Sequence, residues 1–300
     1  MKRLLSALSL LLALPAAPAL AVVNVLACEP EWAALATELG GDKIKAGSAT
    51  TALQDPHRIE ARPSLIARAR NADLLACTGL ELEAGWLPIL LQQSGNARIA
   101  PGRPGNFEAG AFVARLDVPP RVDRSEGDVH AAGNPHIQQD PRNIAAVASA
   151  MAKRLAEIDP ANAAWYQARH QDFASRWNAA MQKWTQQIAP LKGVPVVEHH
   201  KNMAYLLNWT GMKQVGTLEP KPGVEPSAAH LSGLLAQLQR QPAKMVLRAA
   251  YQDGRAAQWL SEHAHIPALA LPFTVGGDDQ ARDLFALFDD TVQQLLQGAK

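Results

Sequence analysis

A chain of 300 residues is longer than one small core requires and suits two lobes, each burying its own sheet. Its 29 basic and 28 acidic residues are dispersed and leave a formal charge of +1, so there is no electrostatic footprint for nucleic acid. Hydrophobic residues make up 48% but mean hydropathy is only -0.11, and beyond the N-terminus no apolar run approaches the roughly 20 residues that span a bilayer.

Residues 1–21 read as a cleaved secretory signal peptide. Lys2 and Arg3 supply the charge, residues 4–14 the apolar segment, and Ala19-Leu20-Ala21 a small-x-small cleavage site. The mature chain then begins at Val22 in the periplasm. A lipoprotein is the alternative, because Val25-Leu26-Ala27-Cys28 loosely resembles a lipobox, although Leu26 fits it poorly and residues 22–27 already read as a strand. The two cysteines, Cys28 and Cys77, each end a short apolar strand. In an oxidising compartment they are either a disulfide or two buried thiols, and adjacent parallel strands are awkward geometry for a bridge.

From Val22 short apolar runs alternate with helical segments. Strands are expected at 22–27, 44–47, 74–77 and 98–100, with helices at 32–39, from 62 to about 71, and at 86–93. Strands separated by helices imply a mainly parallel sheet whose ligand loops lie at the strand C-termini. Residues 101–135 are rich in Gly, Pro, Asp and Arg and read as a long excursion; His130 within it could capture a metal transiently but reads first as a solvated side chain. Asp140-Pro141 then opens a helix to residue 158. Tyr166, Phe173, Trp177, Met181, Trp184 and Ile188 form one helical stripe, which predicts a single helix over 160–188 as a strut between lobes. A second series follows, with strands at 194–198, 213–215, 245–249 and 268–271, helices at 228–238 and 255–263, and a closing helix at 284–297. The fold class is therefore α/β, two similar parallel-sheet lobes joined by one long helix with a site in the cleft. The divisions are 1–21, signal peptide; 22–159, first lobe; 160–191, linking helix; and 192–300, second lobe.

His57, His136 and His200 lie on three separate loops between strands and helices, an arrangement in which the fold, not local spacing, assembles a metal site. Here the chain resembles a known family. Gly40-Gly41-Asp42, Asp55-Pro56-His57 with Glu60 and Pro63-Ser64, Asn71-Ala72-Asp73, Asn134-Pro135-His136-Ile137 with Asp140-Pro141, His200 with Tyr205, and Glu225-Pro226-Ser227 follow in the order of its landmarks. The family is the zinc and manganese substrate-binding proteins of metal ABC transporters (cluster A-I, zinc-uptake type), whose two lobes are joined by one rigid helix. The resemblance covers essentially the whole mature chain and implies a binding protein, not an enzyme. It implies His57 and His136 as metal ligands from the first lobe and His200 from the second, with His199 the neighbouring alternative.

A monomer that captures zinc, or less readily manganese, and passes it to an ABC permease and its ATPase in the inner membrane is the role the resemblance implies. Imidazole donors suit Zn(II), whereas manganese sites favour carboxylates. Asp55, Glu60 and Glu198 are candidate partners for the ligand imidazoles. The family's fourth ligand, an acid after the last strand of the second lobe, is absent, since Pro272 follows 268–271 there. Glu29, at the end of the first strand, is the favoured replacement, ahead of Asp278, Asp279, Glu60 or water. A periplasmic zinc metallochaperone shares every one of these features, and a zinc hydrolase shares the three histidines but lacks a catalytic motif.

Overall fold

The computed structural model describes residues 22–300 apart from Val122, Arg124, Glu126 and Asp128, so the signal-peptide reading lies outside the described residues. The first lobe contains Val23–Ala27 (β1), Pro30–Gly40 (α1), Ile44–Ser48 (β2), Pro63–Asn71 (α2), Leu74–Cys77 (β3), Leu87–Ser94 (α3) and Asn106–Glu108 (β4). Pro141–Ile158 (α4) and Ala163–Gln187 (α5) follow. The second lobe contains Pro195–Glu198 (β5), Ala204–Thr210 (α6), Lys213–Thr217 (β6), Ala228–Leu238 (α7), Met245–Ala249 (β7), Arg255–Ala264 (α8), Ala268–Leu271 (β8) and Leu284–Gly298 (α9). The two sheets run β2-β1-β3-β4 and β6-β5-β7-β8, parallel throughout. In each, the strand order reverses beside the first strand, which places a ligand crevice at the C-terminal ends of β1 and β3 and of β5 and β7.

The central strands are apolar on both faces because both faces are covered. In β1, Val23, Val25 and Ala27 enter the core shared with α1 and α4, while Leu26 and the following Cys28 face α2 and α3. In β5 and β7, Val196, Met245 and Leu247 face the same shared core, and Val197 and Val246 face α7 and α8. One continuous apolar core thus runs from Val23 through α5 to Leu295, and each lobe keeps a smaller outer core of its own.

The joining helix α5 has 25 residues, roughly 37 Å at 1.5 Å per residue. It is three residues shorter at its start than the stripe predicts. Residues 160–162 form a 3-10 turn instead, because the Asp159 carboxylate accepts from Asn162 Nδ2 and the Tyr166 hydroxyl and does not cap an α-helix there. Near its N-terminus α5 is tied to the first lobe, where Trp165 Nε1 and Arg169 Nε donate to the carbonyls of Gly40 and Glu38. Near its C-terminus Trp184 Nε1 donates to Asp289 of α9. Trp177, Trp184, Phe173 and Tyr166 are fully buried, at roughly 1.5–3 kcal/mol of transfer free energy each.

Two local expectations fail. Residues 98–100 are not a strand; Ala97–Ile99 is a 3-10 turn in which Asn96 Oδ1 accepts from the Arg98 N–H, and the fourth strand is β4. The short helix α6, which positions Tyr205, has no capping side chain and was not anticipated.

Candidate metal centre

The loop after β2 carries His57. Ala49 and Thr50 donate to the carbonyls of Ala27 and Cys28, so the chain leaves the sheet beside β1, and Trp86 Nε1 fixes the loop by donating to Pro56 O at 2.8 Å. Asp55 Oδ1 accepts from both the backbone N–H of His57 and its Nδ1, at 3.0 and 2.8 Å. Burial works to raise the Asp55 carboxyl, but the His57 contacts and nearby Arg58 outweigh it and hold the group below the usual carboxylate range. A carboxylate only accepts, so the imidazole proton is on Nδ1 and the lone pair of Nε2 is left to a cation. That Nε2 is buried without a hydrogen-bond partner.

His136 precedes the turn into α4. Asn134 Oδ1 accepts from its N–H, and Asp140 caps α4 by accepting from Arg142 N. The ring is 1% exposed, and burial first, then the neighbouring His57, His200 and His130, depresses its pKa well below the usual histidine range. It is therefore neutral, the form a metal requires. The other wall is Phe273, edge-on at 5.5 Å between centroids.

His200 follows β5. Its Nδ1 donates to Glu219 Oε2 at 2.7 Å, again leaving Nε2. Glu198, one of the expected imidazole partners, instead accepts from Met203 N at 3.0 Å and shapes the His200 loop; burial raises its pKa to about 7. Tyr205 joins the lobes beside this loop, its hydroxyl donating to Asn134 O at 3.0 Å and accepting from Leu116 N.

The three expected histidines thus meet, with ring centroids 5.3 Å apart for His57 and His136, 6.2 Å for His57 and His200, and 6.0 Å for His136 and His200. His130, read from sequence as solvated, joins them, half-buried and stacked 5.3 Å from His57 and 6.5 Å from His136. Its loop is held from the first lobe by Glu81, whose carboxylate accepts from Ala131 N. Glu81 does so from a left-handed backbone (φ 69°), next to Leu80 at φ 54°. Each such residue costs about 1 kcal/mol or more, and such strain concentrates at binding sites. Two imidazoles on one tetrahedral zinc, with Zn–N about 2.0–2.1 Å, place their centroids roughly 5 Å apart. The ring centroids stand at or somewhat beyond that separation.

Of the carboxylates considered for a fourth ligand, Glu29, Glu60 and Asp278 are engaged elsewhere. Glu29 is buried and its Oε2 accepts from the Thr78 hydroxyl and N–H at 3.0 and 3.3 Å. Burial, then Glu83 and Glu31, raises its pKa far above the usual value, which makes it a protonated group in a carboxyl cluster. Glu60 is exposed and paired with Arg62, Asp278 accepts from Gln280 N and Ala281 N, and Asp279 is exposed. Cys28 and Cys77 are joined in a disulfide, Cα atoms 4.7 Å apart, which the register of Ala27 opposite Ala76 permits. Their sulfurs lie within 4.8 Å of a Glu83 oxygen but are bonded to each other, so they offer no thiolate to a metal.

Glu219 and His130 stand at the histidine cluster, although the sequence reading did not name Glu219 and placed His130 outside the ligand set. Glu219 was findable, since it follows β6 as His57 follows β2, whereas His130 stands in an aperiodic stretch with no signal of its own.

The chain is similar to known proteins of metal uptake. The High-affinity zinc uptake system protein ZnuA of Brucella abortus is 30% identical over 96 residues, 32% of this chain and 29% of that protein. The Manganese ABC transporter substrate-binding lipoprotein scaA of Streptococcus gordonii is 25% identical over 265 residues, 84% of this chain and 80% of that protein. A crystal structure of ZnuA superposes with a TM-score of 0.77 at 20% identity, covering 93% of this chain and all of that one, and shares its fold. The model of the family described as zinc-uptake complex component A, periplasmic, matches residues 25–298. These are substrate-binding proteins and not enzymes, which removes the hydrolase reading. The chain belongs to this family and is the extracytoplasmic metal-binding component of an ABC uptake system.

Proposed function

We propose that the protein is a periplasmic, monomeric receptor that binds one Zn(II) through His57, His136 and His200, with His130 as the fourth donor, and delivers it to an inner-membrane permease and its ATPase. The observation that carries the reading is the donor set: four imidazole rings converge, and Phe273 stands against His136 on the segment after β8, where an acid would supply oxygen. Nitrogen donors favour zinc over manganese, which prefers carboxylate and water oxygen. Asp55 and Glu219 hold the His57 and His200 rings by Nδ1 from behind and leave each Nε2 for the ion.

Calorimetry with zinc and with manganese tests this. Zinc should bind with 1:1 tight stoichiometry and manganese at least tenfold more weakly, and His136→Ala should abolish the tight event while His170→Ala and His230→Ala leave it intact. Equal or tighter manganese binding would overturn the zinc assignment, and unchanged affinity in His136→Ala would overturn the site. Deleting the gene should slow growth under zinc starvation, with rescue by added zinc.

A further inference from the structure

The segment that follows β8 belongs to the second lobe but is fastened to the first. It is a tight turn, closed by Gly277 N donating to Thr274 O at 3.0 Å. The ring of Phe273 stands between Tyr251 of its own lobe, centroids 5.4 Å apart, and His136 of the other, at 5.5 Å. Two hydrogen bonds reach this turn from the first lobe. Gln139, three residues after His136, donates from Nε2 to Phe273 O at 3.2 Å, and Glu31 in the first turn of α1 accepts from the Thr274 hydroxyl through Oε2 at 2.5 Å. Glu31, Phe273 and Thr274 are all buried. Burial raises the Glu31 carboxyl to about 7, against the Thr274 hydroxyl, which favours the ionised form, and the nearby Glu83 adds to the rise. A carboxyl taken out of water with a neutral hydroxyl for a partner is a poor source of stability. What this one does is join the lobes at the residue next to the ring that walls the histidine cluster.

We propose that Glu31 is a positioning residue for metal selectivity, which through Thr274 holds Phe273 against His136 and so keeps water out of the coordination shell. The proposal rests on the zinc reading and deepens it. Zinc is satisfied by four tetrahedral donors, whereas manganese takes six and prefers oxygen, water included. A dry aromatic ring on the segment where an oxygen ligand would stand denies manganese those extra ligands and costs zinc nothing. Because Thr274 follows Phe273 directly in a closed turn, releasing its hydroxyl from Glu31 frees the ring to withdraw.

Thr274→Val and Thr274→Ser are to be compared with the wild type by calorimetry with zinc and with manganese, and by the visible absorption of the cobalt(II) complex, whose ligand-field bands are intense in a four-coordinate site and weak in a six-coordinate one. Thr274→Val should lower the zinc-to-manganese affinity ratio severalfold and weaken the cobalt bands as water enters. Thr274→Ser and Glu31→Gln, which keep the hydroxyl donor and an oxygen acceptor, should retain the wild-type ratio and spectrum. Phe273→Ala, which removes the ring and leaves the Glu31 contact in place, should reproduce the Thr274→Val spectrum and decides the matter where that variant folds poorly. A merely structural contact would lower the denaturant midpoint of Thr274→Val and leave ratio and spectrum alone, and that result, or an unchanged spectrum in Phe273→Ala, would overturn the proposal. His136→Ala tells the two failures apart: unaltered zinc affinity there rejects the histidine site and this role with it, whereas lost affinity there beside an unaltered Thr274→Val rejects the role of Glu31 alone.

Discussion

His136 combines near-complete burial with a neutral ring, and this couples metal readiness to acid sensitivity. An unfolded histidine takes up a proton near pH 6.5, but the folded His136 resists it. Below that pH the unfolded state therefore binds more protons at this residue, and the residue's contribution to stability falls as pH drops through 6.5, by up to about 1.4 kcal/mol per pH unit. Denaturant midpoints of the zinc-free protein between pH 7.5 and 5.5 should show a smaller acid-side loss in His136→Gln than in the wild type. Glu29 has the opposite sign. Its raised pKa means that the folded state holds a proton the unfolded state releases above about pH 4.3, so the native carboxyl costs stability at neutral pH. Glu29→Gln should raise the midpoint at pH 7.5, raise it less at pH 5, and leave zinc affinity unchanged, as calorimetry will show. A large loss of affinity in that variant would return Glu29 to the ligand set. The approach of the three histidines to one another was legible because each lies on a loop beside a strand or helix boundary with a distinct local signature. Glu29 was misjudged because position at a strand end says where a side chain starts, not that Thr78 and a second carboxyl will claim it.

Among the elements, the strands were readable because both faces are buried and the apolar runs are unbroken, while β4 hides three residues inside a Gly- and Pro-rich stretch. The disulfide joins β1 to β3 at a sequence separation of 49. A loop of that length implies about 4 kcal/mol by the chain-entropy model. It also lies directly beneath the Glu29–Thr78 contact, one residue on from each cysteine. The paired Cys28→Ala and Cys77→Ala variant should unfold at a clearly lower denaturant concentration, by an amount equivalent to about 2–4 kcal/mol, yet keep 1:1 tight zinc binding, because no ligand loop depends on the sulfurs. A pair of variants as stable as the wild type would show that the link adds nothing.

Across the whole molecule, α5 and the shared core are expected to govern how the ion enters and leaves. Both lobes pack on one helix whose hydrogen-bond ladder would break if it bent, so binding is expected to move loops and not lobes. Small-angle scattering should give the same radius of gyration with and without zinc, within about 1 Å, and hydrogen exchange should slow mainly in the segments around His57, His130 and His200. A large zinc-dependent contraction would show that the strut hinges.

A rigid strut would also dictate how the protein could be made to report a bound metal. Dyes placed on the outer faces of the two lobes, the arrangement that serves hinged receptors, would keep a fixed separation and stay silent. Leu53 and Val224 are 63% and 43% exposed and lie four and five residues from His57 and Glu219. An environment-sensitive dye on either one would read the ordering of the loops themselves, and its brightness would track occupancy.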